Sequence, residues 1–278
     1  MSRISRGVSG GGYMQCLSIV LLCAVSLWLG FFLGQSRLST ASAPGVRAGA
    51  STVDVGAART VAVTALTVAD FSVCHRRLST RGELPSYLDA LGLTGDGVEI
   101  GVRDGEFSEH TLRNWKGHKG KLHLVDPWLA QDKKLYNDVS NVDQMQQDAR
   151  FELVSATMLT RFPSRAIVHR KLSVDAARSF ADASLDYVYV DARHDYAGAL
   201  EDLHAWYPKL RSGGLIAGHD FIPDGIKEEG DFGVQRAASE FALMVEREVQ
   251  SISDKRPDGG RAEPQNADGG WTTFYWVK

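Results

Sequence analysis

Short apolar runs alternate with amphipathic stretches along the chain from about Arg81 onward. Runs of this kind, rich in Val, Ile, Leu and Tyr, are typical of strands buried in a sheet. Five of them lie at residues 97–102, 121–126, 165–170, 185–190 and 214–221. Stretches with helical periodicity separate them, and in residues 199–210 the apolar positions fall on one helix face. This alternation predicts an α/β fold with a doubly wound, mainly parallel sheet.

Two further apolar runs, residues 248–253 and 271–278, close the chain without a helical stretch between them. A strand pair joined without a helix is expected to be antiparallel, because parallel neighbours need a long crossover connection. We therefore predict a sheet of seven strands with an antiparallel C-terminal strand, in a domain that spans residues 76–278.

An uncharged apolar segment, Cys16–Gly34, lies near the N-terminus. Its 19 residues are close to the length that a helix needs to cross a bilayer. The pattern predicts a short tail at residues 1–12 and a transmembrane signal-anchor at residues 13–35. Residues 36–75 are rich in Ser, Ala, Gly and Thr, which predicts a flexible linker.

The charges that flank this segment bear on its orientation. Arg3 and Arg6 precede it and favour a cytosolic N-terminus. We therefore expect a single-pass membrane protein with its main domain on the lumenal or extracytosolic side. One alternative is a cleaved signal peptide ending at Ala41–Ala43, although Pro44 would then be the first mature residue, and the other is a buried helix of a soluble protein.

Composition and charge narrow the range of partners. The formal net charge is -3, so the chain lacks the basic excess that is typical of nucleic-acid-binding proteins. It has three cysteines, Cys16, Cys23 and Cys74, and the first two lie in the apolar segment. Neither a disulfide framework nor a cysteine metal site is expected from such a set. A small molecule is the expected partner, and a homodimer stays open.

Two motifs at the ends of the first two predicted strands indicate a nucleoside-containing cofactor. Glu99, Gly101 and Gly105 follow the first strand, where glycine lets the backbone turn tightly and approach a ligand. Asp126 ends the second strand, where an acid can hold the hydroxyls of a ribose. The glycine spacing differs from the G-x-G-x-x-G of nicotinamide enzymes, and the Walker pattern is absent. A cofactor with a ribose but no pyrophosphate therefore fits better.

The fourth strand leads directly into a group of titratable residues. The stretch "LDYVYVDARHDY" carries Asp191, Arg193, His194 and Asp195 immediately after the strand. Parallel sheets bind ligands at the carboxyl ends of their strands, so Asp191 and His194 are candidate site residues. Asp195 begins a helix and is expected to cap it, while Arg193 is expected to be solvated.

With these motifs the chain resembles the class I S-adenosylmethionine-dependent methyltransferases. The similarity is to the group of small-molecule O-methyltransferases that includes catechol O-methyltransferase and bacterial sugar O-methyltransferases. It covers roughly Arg81–Lys278 and is based on "VEIGVRDGEF", "LHLVDPW", "LDYVYVDARHDY", "LRSGGLIAGHDF" and "WTTFYWVK". It implies S-adenosylmethionine as cofactor and methyl transfer to a hydroxyl of a sugar, a phenol or a similar small molecule.

The resemblance also implies residues that contact the cofactor. By this resemblance, the methionine part of the cofactor would be bordered by Glu99, Gly101 and Gly105. Asp126 would bind the ribose, and Ser173 would lie beside the adenine. Ser173 is also a predicted helix N-cap, and the two roles can coexist. Trp128 either stacks near the adenine or fills its loop.

Metal-dependent members of this group hold a divalent ion at the ends of the fourth and fifth strands. The matching residues here are Asp191, His219 and Asp220, with a histidine where the catechol enzyme has an acid. Oxygen ligands suit Mg²⁺, the most expected ion, while an imidazole also admits Mn²⁺ or other transition ions. The alternative is that both aspartates bond only loop amides and His219 packs against the next helix.

His194 lies three residues after Asp191, where the catechol enzyme has its basic lysine. A histidine can accept the proton of an acceptor hydroxyl near neutral pH, so His194 is the candidate catalytic base, beside Asp191 as metal-binding catalytic residue. The alternatives are a surface histidine or one paired with Asp195. The acidic stretch 221–234 either covers the acceptor or is simply solvated.

Three other functions stay in view. A related metal-dependent enzyme, similar to cephalosporin hydroxylase-like proteins, has the same fold but other chemistry, because fold does not settle reaction. A nicotinamide-dependent oxidoreductase would need a glycine pattern that this sequence lacks. A non-catalytic, membrane-tethered binding module would not need the acids and histidines at the strand ends.

Overall fold

A single seven-stranded sheet organises the part of the chain that the structure, a computed structural model, describes: residues 77–252 and 272–278. Its strands are β1 (Gly97–Ile100), β2 (Leu122–Asp126), β3 (Ala166–Arg170), β4 (Leu185–Val190), β5 (Leu210–Gly218), β8 (Gln250–Ile252) and β9 (Thr273–Val277). A separate antiparallel hairpin pairs β6 (Gly225–Lys227) with β7 (Gly230–Phe232).

The strand order is β3-β2-β1-β4-β5-β9-β8. Strands β1 to β5 are parallel to one another, and β9 pairs antiparallel with both β5 and β8. The predicted seven-stranded, mainly parallel sheet with an antiparallel C-terminal strand is therefore confirmed. The order reverses direction between β1 and β4, which is the position where such sheets bind ligands.

Within the described residues, six α-helices cover the two faces of this sheet. They are α1 (Leu84–Ala90), α2 (Glu106–Asn114), α3 (Gln144–Arg161), α4 (Ser173–Ala177), α5 (Tyr196–Trp206) and α6 (Val234–Met244). One buried apolar cluster packs α1, α2 and α3 against one face, and a second packs α4, α5 and α6 against the other. Successive side chains of β4 point to opposite faces of the sheet. Tyr187 and Tyr189 belong to the first cluster, and Val188 and Val190 belong to the second.

The sequence did not predict the hairpin β6–β7, which lies in the acidic stretch 221–234. Its two strands have three residues each and no alternation of apolar and polar positions, so no period marks them. The predicted signal-anchor at residues 13–35 and the linker at residues 36–75 lie outside the described residues. Among the helices of residues 77–252 and 272–278, none has the length and apolar character to cross a membrane.

Gly101, directly after β1, lets two strand ends approach each other. Its φ angle is +84°, and a Cβ atom placed there would lie 1.8 Å from the carbonyl oxygen of Asp191 after β4. No side chain fits in that space, and L residues rarely adopt this backbone conformation. The glycine is therefore required for the contact between β1 and β4 at the end of the sheet where the candidate residues lie.

We expect Gly101→Ala to lower the free energy of unfolding by about 2–4 kcal/mol, because left-handed backbone strain adds to a steric clash. The matched control is Gly92→Ala in the turn after α1, where φ is +69° but no atom lies within 4 Å of the added Cβ. That variant carries the backbone strain alone and should lose about 1 kcal/mol. Denaturant unfolding of both variants measures the difference, and equal losses would contradict the steric argument.

Candidate active site

Parallel strand pairing brings three residues side by side at the carboxyl edge of the sheet. Ile100 pairs with Val190, and Val190 pairs with Gly218, so the residues that follow them become neighbours. The amide of Asp191 donates to the carbonyl of Ile100 at 2.8 Å, and the amide of His219 donates to the carbonyl of Val190 at 3.0 Å. Asp191 and His219 therefore lie next to each other, each directly after the end of its strand.

Asp191, His219 and Asp220 meet, as the sequence predicted. One potential ligand atom from each lies within 4.8 Å of the other two. His219 Nδ1 is 3.8 Å from Asp191 Oδ1 and 3.2 Å from Asp220 Oδ1. Burial favours a raised pKa for Asp220, but the charges of His194 and His219 and their hydrogen bonds outweigh it, and the pKa lies well below its ordinary value. This donor set of one imidazole and two carboxylates suits a divalent cation.

His194 lies between two carboxylates. Its Nδ1 is 2.7 Å from Asp138 Oδ2, its Nε2 is 2.9 Å from Asp220 Oδ2, and its ring stacks on Phe232 at 5.4 Å. Burial favours a lowered pKa for His194, but Asp220 and Asp138 outweigh it and raise the pKa well above the ordinary value. A histidine that donates from both nitrogens cannot accept a proton, so the base role stays a prediction that this arrangement does not favour.

Asp138 is a site residue that sequence reasoning missed. It lies in the irregular segment between β2 and α3, 56 residues before His194, and no strand or helix pattern marks it. Its Oδ1 accepts from the backbone amide and the hydroxyl of Ser140, which holds the carboxylate in place. A β-bridge between Asp138 and Gly230 joins this segment to the hairpin β6–β7.

The hairpin and the segment before α3 together border the site. The amide of Val139 donates to the carbonyl of Glu229 at 2.8 Å, and Phe232 lies against the ring of His194. Val139, Glu229 and Phe232 also line the main cavity of the site. The acidic stretch 221–234 is therefore not simply solvated, because part of it forms a wall of this cavity.

Asp195 and Arg193 pair with each other rather than with His194. The Asp195 carboxylate accepts from the amide of Gly198 at 3.0 Å, so its predicted role as the N-cap of α5 is confirmed. Arg193 donates to both oxygens of Asp195 at 2.9 Å. The Arg193 side chain is 38% exposed, so it remains in contact with solvent while it pairs with the carboxylate of the cap. The alternative pairing of His194 with Asp195 is wrong.

Arg81 is a second residue that the sequence did not single out. Its Nη1 is 3.7 Å from Asp191 Oδ2 and donates to the Tyr189 hydroxyl at 3.3 Å. The guanidinium also lies over the Phe107 ring, 4.7 Å from its centre. Arg81 therefore places a positive charge in the cavity wall beside Asp191.

One cavity of about 600 Å³ joins the metal-ligand cluster to the candidate cofactor residues. Its lining includes all the predicted cofactor and metal residues except Gly105: Glu99, Gly101, Asp126, Ser173, Asp191, His194, His219 and Asp220. Gly105 instead forms the left-handed N-cap of α2, with φ +77°. The volume lies within the range of pockets that hold small molecules and cofactors.

Glu99 is a buried carboxylate in the wall of this cavity. It is 3% exposed, and its Oε2 has no hydrogen-bond partner within the described part of the chain. Burial, the strongest influence, raises the pKa of Glu99 to about 8, and the nearby Asp191 adds to this shift. A buried acid that lines a cavity and has an unsatisfied oxygen suits a ligand group that is cationic or a strong donor.

Asp126 is mostly engaged by backbone amides. Its Oδ2 accepts from Val102 and Arg103 at 2.9 and 3.0 Å, and its Oδ1 accepts from Trp128 at 2.7 Å. A carboxylate has about four acceptor sites, so about one remains on Oδ1. Burial, which the amide bonds only partly offset, raises the pKa of Asp126 above its ordinary value. Asp126 can accept a hydrogen bond from one ribose hydroxyl. To accept from both hydroxyls, it would have to share this one remaining acceptor site between them.

Ser173 begins α4 but does not cap it. Leu172 occupies the N-cap position, and the Ser173 hydroxyl donates to Asp202 and accepts from Trp206 Nε1 at 2.9 Å. The predicted capping role is therefore wrong, because buried polar groups on α5 take the hydroxyl. Burial raises the pKa of Asp202 to about 7. Ser173 and Asp202 together form a polar end of the cavity.

Trp128 fills its loop. Its side chain is 0% exposed, its Nε1 donates to the carbonyl of Arg103 at 3.0 Å, and its ring packs against Phe151 at 5.2 Å. Its neighbours Pro127 and Leu129 line the cavity instead. Of the two roles left open by the sequence, the structure supports the packing role.

Comparison with known families finds a match over the centre of the described chain. Residues 98–221 match the family model described as a methyltransferase domain, which is just under half of the 278 residues. That range begins in β1 and ends after Asp220, so it contains the whole row of candidate residues. A search of the curated proteins found no match.

Solved structures with similar folds are distant in sequence. A spermidine synthase from Thermotoga maritima is 14% identical, with a TM-score of 0.44, over 72% of this chain and 60% of that chain. An O-methyltransferase family protein from Burkholderia thailandensis is 13% identical, with a TM-score of 0.45, over 71% of this chain and 55% of that chain. The chain thus spans less than two thirds of either protein, and similarity at this level assigns no function.

The raised pKa of Glu99 predicts a specific pH dependence of stability. A carboxyl whose pKa rises from 4.5 when unfolded to about 8 when folded stabilises the fold fully below about pH 4.5, and this contribution is lost as the pH rises through about 8. Glu99→Gln lacks this titration, so we expect its stability relative to the wild type to increase by a few kcal/mol across this window.

Denaturant unfolding of Glu99→Gln and the wild type at several pH values across the window measures this difference. The control is Glu152→Gln, which changes an exposed carboxylate on α3 and should leave a difference that hardly varies with pH. If the difference in unfolding free energy between Glu99→Gln and the wild type is equally independent of pH, the raised pKa of Glu99 is contradicted.

Proposed function

We propose that the chain contains a class I methyltransferase domain, which transfers a methyl group from S-adenosylmethionine to a hydroxyl group of a small molecule with the help of a divalent cation. The observation that carries this proposal is the single cavity of about 600 Å³, which joins the buried Glu99 to the Asp191–His219–Asp220 cluster. A donor and an acceptor held in one cavity react as neighbours, which is the main requirement of group transfer.

The cofactor end of the cavity has groups of suitable chemistry. S-adenosylmethionine supplies an activated methyl group on a sulfonium. The unsatisfied Oε2 of Glu99 suits the cofactor's ammonium group, and binding there would favour the ionised form of this carboxyl. The remaining acceptor site of Asp126 suits a ribose hydroxyl. The Ser173–Asp202 pair offers hydroxyl and carboxyl groups to the edge of the adenine.

The cation end would hold the acceptor. Asp191, His219 and Asp220 are the residues that would bind the ion. A bound divalent ion lowers the pKa of a hydroxyl that coordinates it. Asp191 would be held by Arg81, whose guanidinium lies 3.7 Å from its Oδ2 and leaves Oδ1 toward His219. The protein itself would hold the carboxylates of Asp191 and Asp220 beside the end of the cavity that binds the cofactor.

The remaining walls would exclude water and orient the acceptor. Phe107, Val139 and Phe232 add apolar surface, and Arg81 and Tyr136 add polar atoms. The Tyr136 hydroxyl donates to the carbonyl of Ala192 at 3.2 Å, which ties the segment before α3 to the end of β4. A mixed wall of this kind suits a small polar acceptor such as a phenol or a sugar derivative.

Isothermal calorimetry with S-adenosylmethionine tests the cofactor assignment. We expect Asp126→Ala to weaken binding at least about tenfold, because a hydrogen bond to an ionised group contributes about 1.5–3 kcal/mol. Asp126→Asn keeps one acceptor oxygen and should lose less. Asp182→Ala is the control, because this exposed carboxylate pairs with Lys209 at the surface. Unchanged affinity in folded Asp126→Ala would contradict the ribose assignment.

Product analysis tests the reaction itself. Full-length protein incubated with S-adenosylmethionine, a divalent cation and a panel of phenols and sugars should give S-adenosylhomocysteine and an acceptor that has gained one methyl group. Addition of a chelator should reduce the yield. The mixed histidine–carboxylate set also suits the hydroxylase-like alternative. An acceptor that gains one oxygen atom, without formation of S-adenosylhomocysteine, would contradict methyl transfer and favour that alternative.

A further inference from the structure

His194 points its Nε2 at the same group of oxygens that the proposed cation would use. We propose that His194 is a fourth ligand of this cation and that Asp138 orients it. The centre would then have two imidazoles and two carboxylates and would select a transition ion such as Mn²⁺ over Mg²⁺. This inference rests on the proposed function only in taking the cluster at the ends of β4 and β5 as a cation site.

The distances from each histidine to the two aspartates match those between ligands of a single ion. Ligands about 2.1 Å from a metal are about 3.0 Å apart in an octahedral arrangement and about 3.4 Å apart in a tetrahedral one. His194 Nε2 lies 2.9 Å from Asp220 Oδ2 and 3.6 Å from Asp191 Oδ1. His219 Nδ1 lies 3.2 Å from Asp220 Oδ1 and 3.8 Å from Asp191 Oδ1. The two histidines therefore have the same relation to the two aspartates.

The two oxygens of Asp220 serve different histidines. Oδ1 faces His219 and Oδ2 faces His194, so the carboxylate lies between the two rings. Asp191 Oδ1 lies within 3.8 Å of both rings, while its Oδ2 faces Arg81. An ion held by Asp191 Oδ1 and Asp220 would therefore have an imidazole nitrogen on each side.

The partner of the other His194 nitrogen is typical of a metal-bound histidine. Metal-ligating histidines almost always donate their second N–H to a carboxylate or a carbonyl, which fixes the tautomer and the ring orientation. Nδ1 of His194 is 2.7 Å from Asp138 Oδ2, and the Asp138 side chain is only 2% exposed. Asp138 keeps the proton on Nδ1, so a cation that replaces the proton on Nε2 would meet a lone pair directed at the cluster.

The identity of the ion follows from the donor atoms. Mg²⁺ prefers oxygen ligands and keeps several waters, whereas imidazole suits Mn²⁺, Fe²⁺, Co²⁺ and Zn²⁺. Two carboxylates also balance the charge of a divalent ion. A nitrogen-rich centre excludes His194 from the base role, because a coordinated Nε2 has no lone pair for a proton. The inference thus replaces the Mg²⁺ and the histidine base expected from the sequence.

Metal binding to full-length, chelator-stripped protein tests this inference without an activity assay. We expect Mn²⁺ titrations followed by electron paramagnetic resonance to give at least tenfold tighter binding than competing Mg²⁺. Pulsed resonance spectra of bound Mn²⁺ should report two coordinated nitrogens in the wild type and one in His194→Gln. Asp138→Asn keeps its size but lacks the charge that orients His194, and it should weaken Mn²⁺ binding by about tenfold to a hundredfold.

The control is His204→Gln, which changes an exposed histidine on α5 that lies edge-on to the Phe241 ring, and it should keep two nitrogens and wild-type affinity. A single coupled nitrogen in the wild type, or a nitrogen count that His194→Gln leaves unchanged, would overturn the inference. So would equal affinities for Mn²⁺ and Mg²⁺.

Calorimetry with S-adenosylmethionine on the same protein separates this result from the proposed function. If the Mn²⁺ experiments fail but S-adenosylmethionine still binds, only the proposal that His194 is a cation ligand is rejected. If S-adenosylmethionine does not bind but the two-nitrogen signal is present, the proposed methyl transfer is rejected instead.

Discussion

Parallel pairing of β1, β4 and β5 in one register is the constraint on which the site depends. Because Ile100, Val190 and Gly218 are partners in neighbouring strands, the residues that follow them cannot separate. The backbone contact between Gly101 and Asp191 is so close that it leaves no room for a Cβ atom. Tight backbone packing, rather than attraction between the side chains, thus brings the carboxylates and imidazoles together.

The charges assembled in this way are stabilised by one another. Asp220 is buried, yet it remains ionised because two imidazoles face its two oxygens. Within the described residues no imidazole faces Glu99 and its Oε2 has no hydrogen-bond partner, and burial, which raises its pKa, outweighs the lowering effects of Ser108 and Arg81. The cavity therefore has one end where charge is compensated internally and one end where a ligand would have to compensate it, which is the asymmetry expected of a binding site.

Two segments outside the seven-stranded sheet complete the site. The stretch between β2 and α3 supplies Asp138, and the hairpin β6–β7 supplies Phe232; a β-bridge at Gly230 and the bond from Val139 to Glu229 join the two. Their contacts with His194 hold the ring in a fixed orientation. The sheet places the ligand-binding groups, while these two segments determine which way the histidine faces.

The sequence by itself determined the order of the seven strands of the main sheet and of the helices between them, and the presence of Asp191, His219 and Asp220 at strand ends. Hydrophobic periodicity reports burial, and parallel strands end at one edge, so local pattern was sufficient. Only the tertiary structure decided that Asp138 faces His194 across 56 residues and that Asp202 takes the Ser173 hydroxyl across 29. Neither contact leaves a periodic signal, because each joins side chains from elements whose relative position is fixed only when the core packs.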